Sequence, residues 1–314
     1  VSMSPPMNLP IYMDNQATTR IDPRVFEAML PYLTDVYGNA ASRSHSFGWT
    51  AEQAVETARG HIARLIGASP KEIVFTSGAT ESNNLAIMGA LEGARAADPA
   101  RPMAIVTQAT EHKAVLDPCA WLAKQGCRVT VLPVDPEGRI PLDDLRRVIL
   151  NEPPILVSIM AANNEIGTLQ PVDEIGALCR EHGALFHTDA AQAVGKLPID
   201  VNRSAIDLLS ISGHKIYGPK GVGALYVRSG IALRSLVVGG SQEFGKRAGT
   251  ENVAGAVGLA VALELAEAER ERTVGDTAAL RDRLEEALAA RVPGLLVNGA
   301  GAPRLANHLS VAIP

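Results

Sequence analysis

A lysine delivered to the end of a strand is the residue in this sequence best suited to covalent chemistry. In SISGHKIYGPKG, residues 210–221, an apolar run stops at Ser212 and Gly213 and hands on His214 and Lys215. A lysine whose stem is walled by protein loses its proton more readily than one in water, and the neutral amine attacks an aldehyde. Most lysines stay solvated, so a turn lysine on the surface is the competing reading of Lys215. Lys196, Lys220 and Lys246 are expected to be surface lysines or neighbours that neutralise a phosphate.

Four further polar clusters also end strand-like runs. FTSGATESNN passes through Gly78 into a helix whose first turn holds Ala79, Thr80 and Glu81. Unpaired N–H groups at a helix start, with a glycine that lets the chain come close, make a phosphate cradle; a plain N-cap at Thr80 explains the same letters. ALFHTDAAQAVG ends a buried-looking strand at Asp189, with Gln192 three residues on. A carboxylate among apolar neighbours needs a cation, and the protonated nitrogen of a pyridine ring is one; a helix-capping aspartate is the alternative. TEHKAV places His112, and AANNEIGT places Asn163 and Asn164, after two more apolar runs. Alone, His112 reads as a helix-start residue and the asparagines as turn chemistry. Together the five clusters supply a Schiff-base lysine, a carboxylate for a ring nitrogen, a phosphate cradle, a stackable imidazole and an amide for a phenolic oxygen. Those are the requirements of pyridoxal 5'-phosphate (PLP).

The elements that must position them alternate. PRVFEAMLPYL and TAEQAVETARGHIARLIG have helical spacing and precede the first strong strand, EIVFTSG. From there strands and amphipathic helices follow in turn as far as ALFHTDA, which predicts an α/β fold with a mainly parallel sheet and helices on both faces. Ligands of such sheets bind at the carboxyl ends of the strands. DLLSISG and GVGALYVRSG are separated only by HKIYGPK, so the second is expected to pair antiparallel at a sheet edge. A helical stretch from about Val253 to Ala290 is divided by TVGD, which predicts a change of direction or a link to a second domain. LLVNG to HLSVAIP reads as strands opening that domain. The expected division is an N-terminal arm, 1–22, beginning with an irregular leader; a large domain, 23–265; and the start of a smaller α/β domain, 266–314.

A chain of 314 residues with 46% hydrophobic content can bury a large core. The net charge of -5 gives no basic surplus for nucleic acid or an anionic membrane. No run approaches the ~18 apolar residues of a membrane span, and no signal peptide is legible, so a cytoplasmic location is expected. Cys119, Cys127 and Cys179 form no CxxC pair, disulfide framework or metal site, and read as buried reduced thiols.

GNAASRSH, TSGATESNN, TEHKAV, NNEIG, HTDAAQAVGK, SGHKIYGPKG and RAGTENV, in this order, closely resemble the cysteine desulfurases of the iron–sulfur-cluster and nitrogen-fixation type. The resemblance spans nearly all of residues 11 to 314. It implies the type I PLP fold in its class V aminotransferase branch, and a homodimer with active sites near the subunit boundary. It makes Lys215 the Schiff-base lysine, Asp189 the partner of the pyridine nitrogen, and His112 a ring-stacking proton shuttle. Gln192 and Asn163 would face the phenolic oxygen. Ala79, Thr80, Ser212 and His214 would hold the phosphate, with Thr250 of RAGTENV reaching it from the neighbouring subunit. The implied reaction takes L-cysteine to alanine while a mobile enzyme cysteine takes the sulfur, for delivery to an acceptor or scaffold protein.

None of Cys119, Cys127 and Cys179 matches that mobile cysteine, and the arginine that clamps the substrate carboxylate is not found either. Both are expected beyond Pro314 in a longer natural chain. Transamination, selenocysteine lysis and kynurenine cleavage share the cofactor site, and a non-catalytic PLP-fold scaffold is the reading from another class. Retention of Lys215, Asp189 and His112 together argues against the scaffold.

Overall fold

The computed structural model describes residues 10–314, so residues 1–9 of the expected leader lie outside the described residues. Helix α1 (Pro23–Leu33) starts where Pro23 fits the first turn and the Asp22 side chain accepts the Arg24 N–H. Helix α2 (Ser46–Leu65) follows and buries Ala51, Val55, Ala58 and Ile62 along one stripe. The strands and helices then alternate as β1 (Ile73–Thr76), α3 (Ala79–Ala97), β2 (Ala104–Gln108), α4 (Lys113–Lys124), β3 (Arg128–Leu132), α5 (Leu142–Asn151), β4 (Leu156–Ser158), α6 (Val172–Glu181) and β5 (Leu185–Asp189). Two strands without an intervening α-helix, β6 (Leu208–Ser212) and β7 (Gly223–Val227), complete a seven-stranded sheet in the order β1-β7-β6-β5-β4-β2-β3.

Every strand of this sheet runs one way except β7, which pairs antiparallel with both β6 and β1. The expectation that GVGALYVRSG lies at a sheet edge is therefore corrected. The chain carries β1 across to cover β7, and β1 is the edge. Gly223 makes this pairing possible: a Cβ there would lie 2.7 Å from the Gly78 Cα, so only glycine lets β7 come this close to the exit of β1.

Side-chain alternation sends the strands' apolar groups to two faces. Val74, Ile105, Leu156, Leu208 and Leu225 pack under α3 and α4, whereas Ile73, Val106, Val157, Leu209 and Tyr226 join the core that holds α2, α6 and the first half of α7 (Val253–Ala289). The predicted break at TVGD does not occur. Helix α7 is continuous through Gly275, whose helical position meets open space. A solvated glycine costs a helix about 1 kcal/mol. Tertiary contacts on both sides of Gly275, Arg24–Glu269 before it and Arg304–Glu285 after it, outweigh that local preference. The expected boundary at 265/266 thus falls inside one helix, which leads to the two-stranded antiparallel pair β8 (Leu296–Val297) and β9 (Val311–Ala312). Among the described residues no helix is long and apolar enough to cross a membrane.

Candidate active site

Because β1, β2, β4, β5 and β6 point the same way, the segments that leave their carboxyl ends meet on one rim. They surround a cavity of about 500 Å³ lined by Gly78, Ala79, Thr80, Asn83, His112, Asn164, Asp189, Gln192, Ser212, His214 and Lys215 among others. Eight of the ten residues singled out from the sequence are in that wall: Ala79, Thr80, His112, Asp189, Gln192, Ser212, His214 and Lys215.

Lys215 follows β6 in a single tight turn, Gly213–Lys215. Its Nζ donates to the backbone oxygens of Gln16 and Ala17 at 2.5 and 2.9 Å. Burial pushes the ammonium pKa down, and the carboxylates of Asp189, Asp14 and Glu165 oppose this without cancelling it. Asp189 ends β5. Its Oδ1 accepts from the Ala191 N–H at 2.9 Å and its Oδ2 from Asn83 Nδ2 at 2.7 Å, so it caps no helix. His112 is both a helix-start residue and a wall residue: it caps α4, and its Nδ1 accepts the Ala114 N–H at 3.1 Å. The neutral imidazole therefore keeps its proton on Nε2.

The cradle at α3 is built by Gly78, whose φ of 148° and ψ of -178° suit only glycine. No side chain caps the helix, so Thr80 is not its N-cap, and the first-turn N–H groups of Ala79 and Thr80 are left facing the cavity. Glu81 in the same turn is held away by Arg247 at 2.9 Å and by the Ser77 N–H at 2.7 Å. Across the cavity, the Ser212 Oγ is buried with no partner in the protein. His214 Nδ1 lies 3.1 Å from Thr18 Oγ1, and burial, then Lys215 and Lys220, lower its pKa.

Two of the ten residues lie elsewhere. Asn163 does not line the cavity: its Oδ1 accepts the Glu165 and Ile166 N–H groups and its Nδ2 donates to Thr110 O, so the amide is spent on the turn, and Asn164 takes the wall position. Thr250 is exposed and away from this chain's own cavity. Lys196 is not a simple surface lysine; burial, with help from Lys215, lowers its pKa to about 8, and its Nζ donates to Gln192 Oε1 at 3.0 Å.

The class-V aminotransferase model matches residues 11–314. The chain belongs to the aminotransferase class-V family. Among curated relatives, the cysteine desulfurase IscS of Rickettsia akari (strain Hartford) is 52% identical over 308 residues, which cover 98% of this chain and 74% of that protein. A solved NifS-like protein superposes with a TM-score of 0.91 at 40% identity, covering 97% of this chain and 82% of that one. A structure titled SspA in complex with cysteine gives a TM-score of 0.86 at 38% identity, over 96% and 83% of the two chains.

Class-V enzymes depend on PLP, and the wall of this class-V chain fits that cofactor. The orphaned Ser212 hydroxyl and the uncapped start of α3 are donors without acceptors, as a phosphate requires. Asp189 is a carboxylate with lone pairs to spare, and Lys215 is an amine that burial makes easier to deprotonate. Sequence reasoning missed Asn83 and the segment Gln16–Thr19. Gln16 O accepts from both Lys215 and Gln192, while the Thr19 N–H and Oγ1 both donate to His214 O at 2.9 Å. The only local signal was the polar run DNQATT ahead of α1.

Proposed function

We propose that this chain carries the PLP site of a cysteine desulfurase, the activity that its similarity to cysteine desulfurase IscS and to a cysteine-bound SspA structure supports. The observation that carries the reading is the convergence of Lys215, Asp189, His112 and the α3 cradle on one cavity. Ala79, Thr80, Ser212 and His214 would hold the phosphate, and Asp189 the ring nitrogen. When bound, PLP supplies an electron sink for the bonds around the amino acid's α-carbon. Lys215 is the residue that anchors the cofactor and gives up or receives a proton at Nζ. His112, whose Nδ1 is engaged by the Ala114 N–H, holds or moves a proton at Nε2. Gln192 orients the Lys196 ammonium beside them. Asn163 would act on the phenolic oxygen only through Asn164 and the turn it braces.

In the overall reaction L-cysteine and an enzyme thiol become alanine and an enzyme persulfide, so the accepting thiolate must reach the substrate sulfur. Cys119 and Cys179 are sealed in the core, where burial pushes both thiols up to about 12, and Cys127 is buried and raised as well. The accepting thiol is therefore none of these. A homodimer completes the reading: Thr250, exposed and outside this chain's cavity lining, would serve a neighbouring subunit, and the exposure of Tyr37, Phe47, Trp49, Val238 and Phe244 supports such an association. The division into an arm, 1–22, a sheet domain, 23–265, and a smaller part, 266–314, is kept, with α7 shared across the last boundary. A sulfur-acceptor or scaffold protein is the expected partner, and the cytoplasm the expected compartment.

The test is an absorption spectrum of the protein supplied with PLP, with and without L-cysteine, followed by borohydride reduction and peptide mass analysis. A band that shifts with cysteine, and a reduced adduct at Lys215, are expected. A protein that forms no such band, or an adduct on another lysine, refutes the proposal; loss of the band with another amino acid as amino-group donor, but no shift with cysteine, would point to transamination.

A further inference from the structure

Asn83 stands in the second turn of α3, fully buried, with its side chain in the cavity wall. Its Nδ2 donates to Asp189 Oδ2 at 2.7 Å, across 106 residues of sequence, and its own Oδ1 has no partner. A carboxylate oxygen only accepts. Turning the amide over would set two acceptors against each other at that distance, so the orientation follows from chemistry. On the other side the Ala191 N–H donates to Asp189 Oδ1 at 2.9 Å. Each carboxylate oxygen is thus held by one donor, and the plane of the group is fixed by the protein alone. Hydrogen bonds to the charged form favour that form.

Two more ionisable groups lie near Asp189. Glu111, on the segment that carries His112, is buried, and burial, then the nearby Asp189 charge, push its pKa well up. Its Oε1 accepts the Met160 N–H, which fixes its position. Lys215, from the loop after β6, is the cation whose ammonium form the Asp189 charge favours.

We propose that Asn83 is a positioning residue for the reaction: its amide fixes the plane of the Asp189 carboxylate so that the group faces the ring nitrogen of the cofactor. The reading rests on the PLP assignment above. Without the amide, Asp189 keeps its backbone donor but gains rotational freedom and loses a donor to its charge, so it holds a ring proton less well.

Asn83→Ala and Asn83→Ser are loaded with PLP carrying nitrogen-15 in the ring. The nitrogen shift at pH 8, the PLP dissociation constant and the melting temperature of the cofactor-free protein are then recorded. Loss of one charge-assisted hydrogen bond should weaken PLP binding roughly tenfold. The ring-nitrogen signal should move toward its unprotonated position, while the cofactor-free protein still melts cooperatively. Binding within twofold of the unaltered protein with a protonated ring nitrogen in either folded variant overturns the proposal. So does an unaltered protein whose ring nitrogen titrates at the same pH as free PLP, which needs no variant. Failure of the unaltered protein to take up PLP removes the cofactor assignment itself, an outcome distinct from normal uptake with an indifferent Asn83.

Discussion

Replacing Glu243 by glutamine should destabilise this protein by about 3–5 kcal/mol, the usual cost of stranding one member of a buried ion pair. Arg59 on α2 is fully buried, and its guanidinium meets Glu243 through Nη1 to Oε2 at 2.6 Å and Nη2 to Oε1 at 3.0 Å. Nη1 also donates to Ile73 O at 2.7 Å, and Nε reaches the half-exposed Glu56 at 2.9 Å. The rings of Phe75 and Phe244 lie on either side, each 4.9 Å from the guanidinium carbon. Burial alone would lower the Arg59 pKa, but the Glu243 carboxylate, then Glu56, raise it overall. In Glu243→Gln the guanidinium keeps its charge and loses its buried counter-ion, leaving only the half-exposed Glu56, and the new amide N–H₂ faces either Arg59 or the Phe75 N–H, both donors. The pair also fastens a loop in which Glu243 and Phe244 adopt positive φ of 48° and 58°, at about 1–2 kcal/mol each for side-chain-bearing residues. Urea unfolding followed through Trp49 and Trp121, compared at equal slope, measures the loss. The double variant Arg59→Met with Glu243→Gln carries no stranded charge and should recover at least half of it. A single variant that loses under about 1 kcal/mol, or a double variant as unstable as the two singles combined, would refute the argument.

Three further outcomes follow from groups with unusual surroundings. Ser212→Ala should leave stability within about 0.5 kcal/mol, because its hydroxyl has no protein partner, yet weaken PLP binding several-fold; equal affinity in a fluorescence titration would remove Ser212 from the phosphate site. His187 is sealed between Ser158 Oγ at 2.8 Å and Ser210 Oγ at 3.1 Å, and burial lowers its pKa to about 3. The unfolded chain therefore takes up this proton first, and stability should fall as pH drops below about 6.5, by up to about 1.4 kcal/mol per unit from this group; His187→Asn should flatten that slope in urea titrations from pH 7 to 4. The thiols of Cys119, Cys127 and Cys179 should resist a thiol reagent in the folded protein at pH 8 and react only after denaturation, and fast labelling of any of them would contradict their burial.

Which residue types face the cavity was legible because strand ends are legible. An apolar run that stops at a polar residue marks a carboxyl end, and five runs in a row with helices between them leave a parallel sheet as the economical arrangement. The same rules failed where a distant contact decides a local choice. GVGALYVRSG has the letters of an edge strand, but the hydrogen-bonding edge of β7 is taken by β1, which lies some 150 residues earlier in the chain. TVGD has the letters of a break, but α7 runs through it because distant residues hold its flanks, Arg24 at Glu269 and Arg304 at Glu285. Asn163 and Asn164 are adjacent and alike, and only the turn geometry reveals that the first is consumed by Glu165 and Ile166.

The partners of the site residues were illegible for one shared reason. Gln16 against Lys215, Thr19 against His214, Asn83 against Asp189 and Arg59 against Glu243 span roughly one to two hundred residues, and no pattern within a window can pair them. These contacts decide how the visible residues behave. Burial alone makes Lys215 easier to deprotonate, whereas the backbone oxygens of Gln16 and Ala17 accept from its ammonium form and hold it in place. The arm thus sets the Lys215 amine between two demands, ready to release a proton but fixed in direction until a better acceptor arrives. Asp189 is fixed by a donor on each oxygen, Asn83 Nδ2 on one and the Ala191 N–H on the other. A lysine inclined to be neutral beside an aspartate fixed in direction is the division of labour a pyridine aldehyde needs, and it is produced by α3, the arm and the β5 turn acting on two side chains that the sequence shows only as letters.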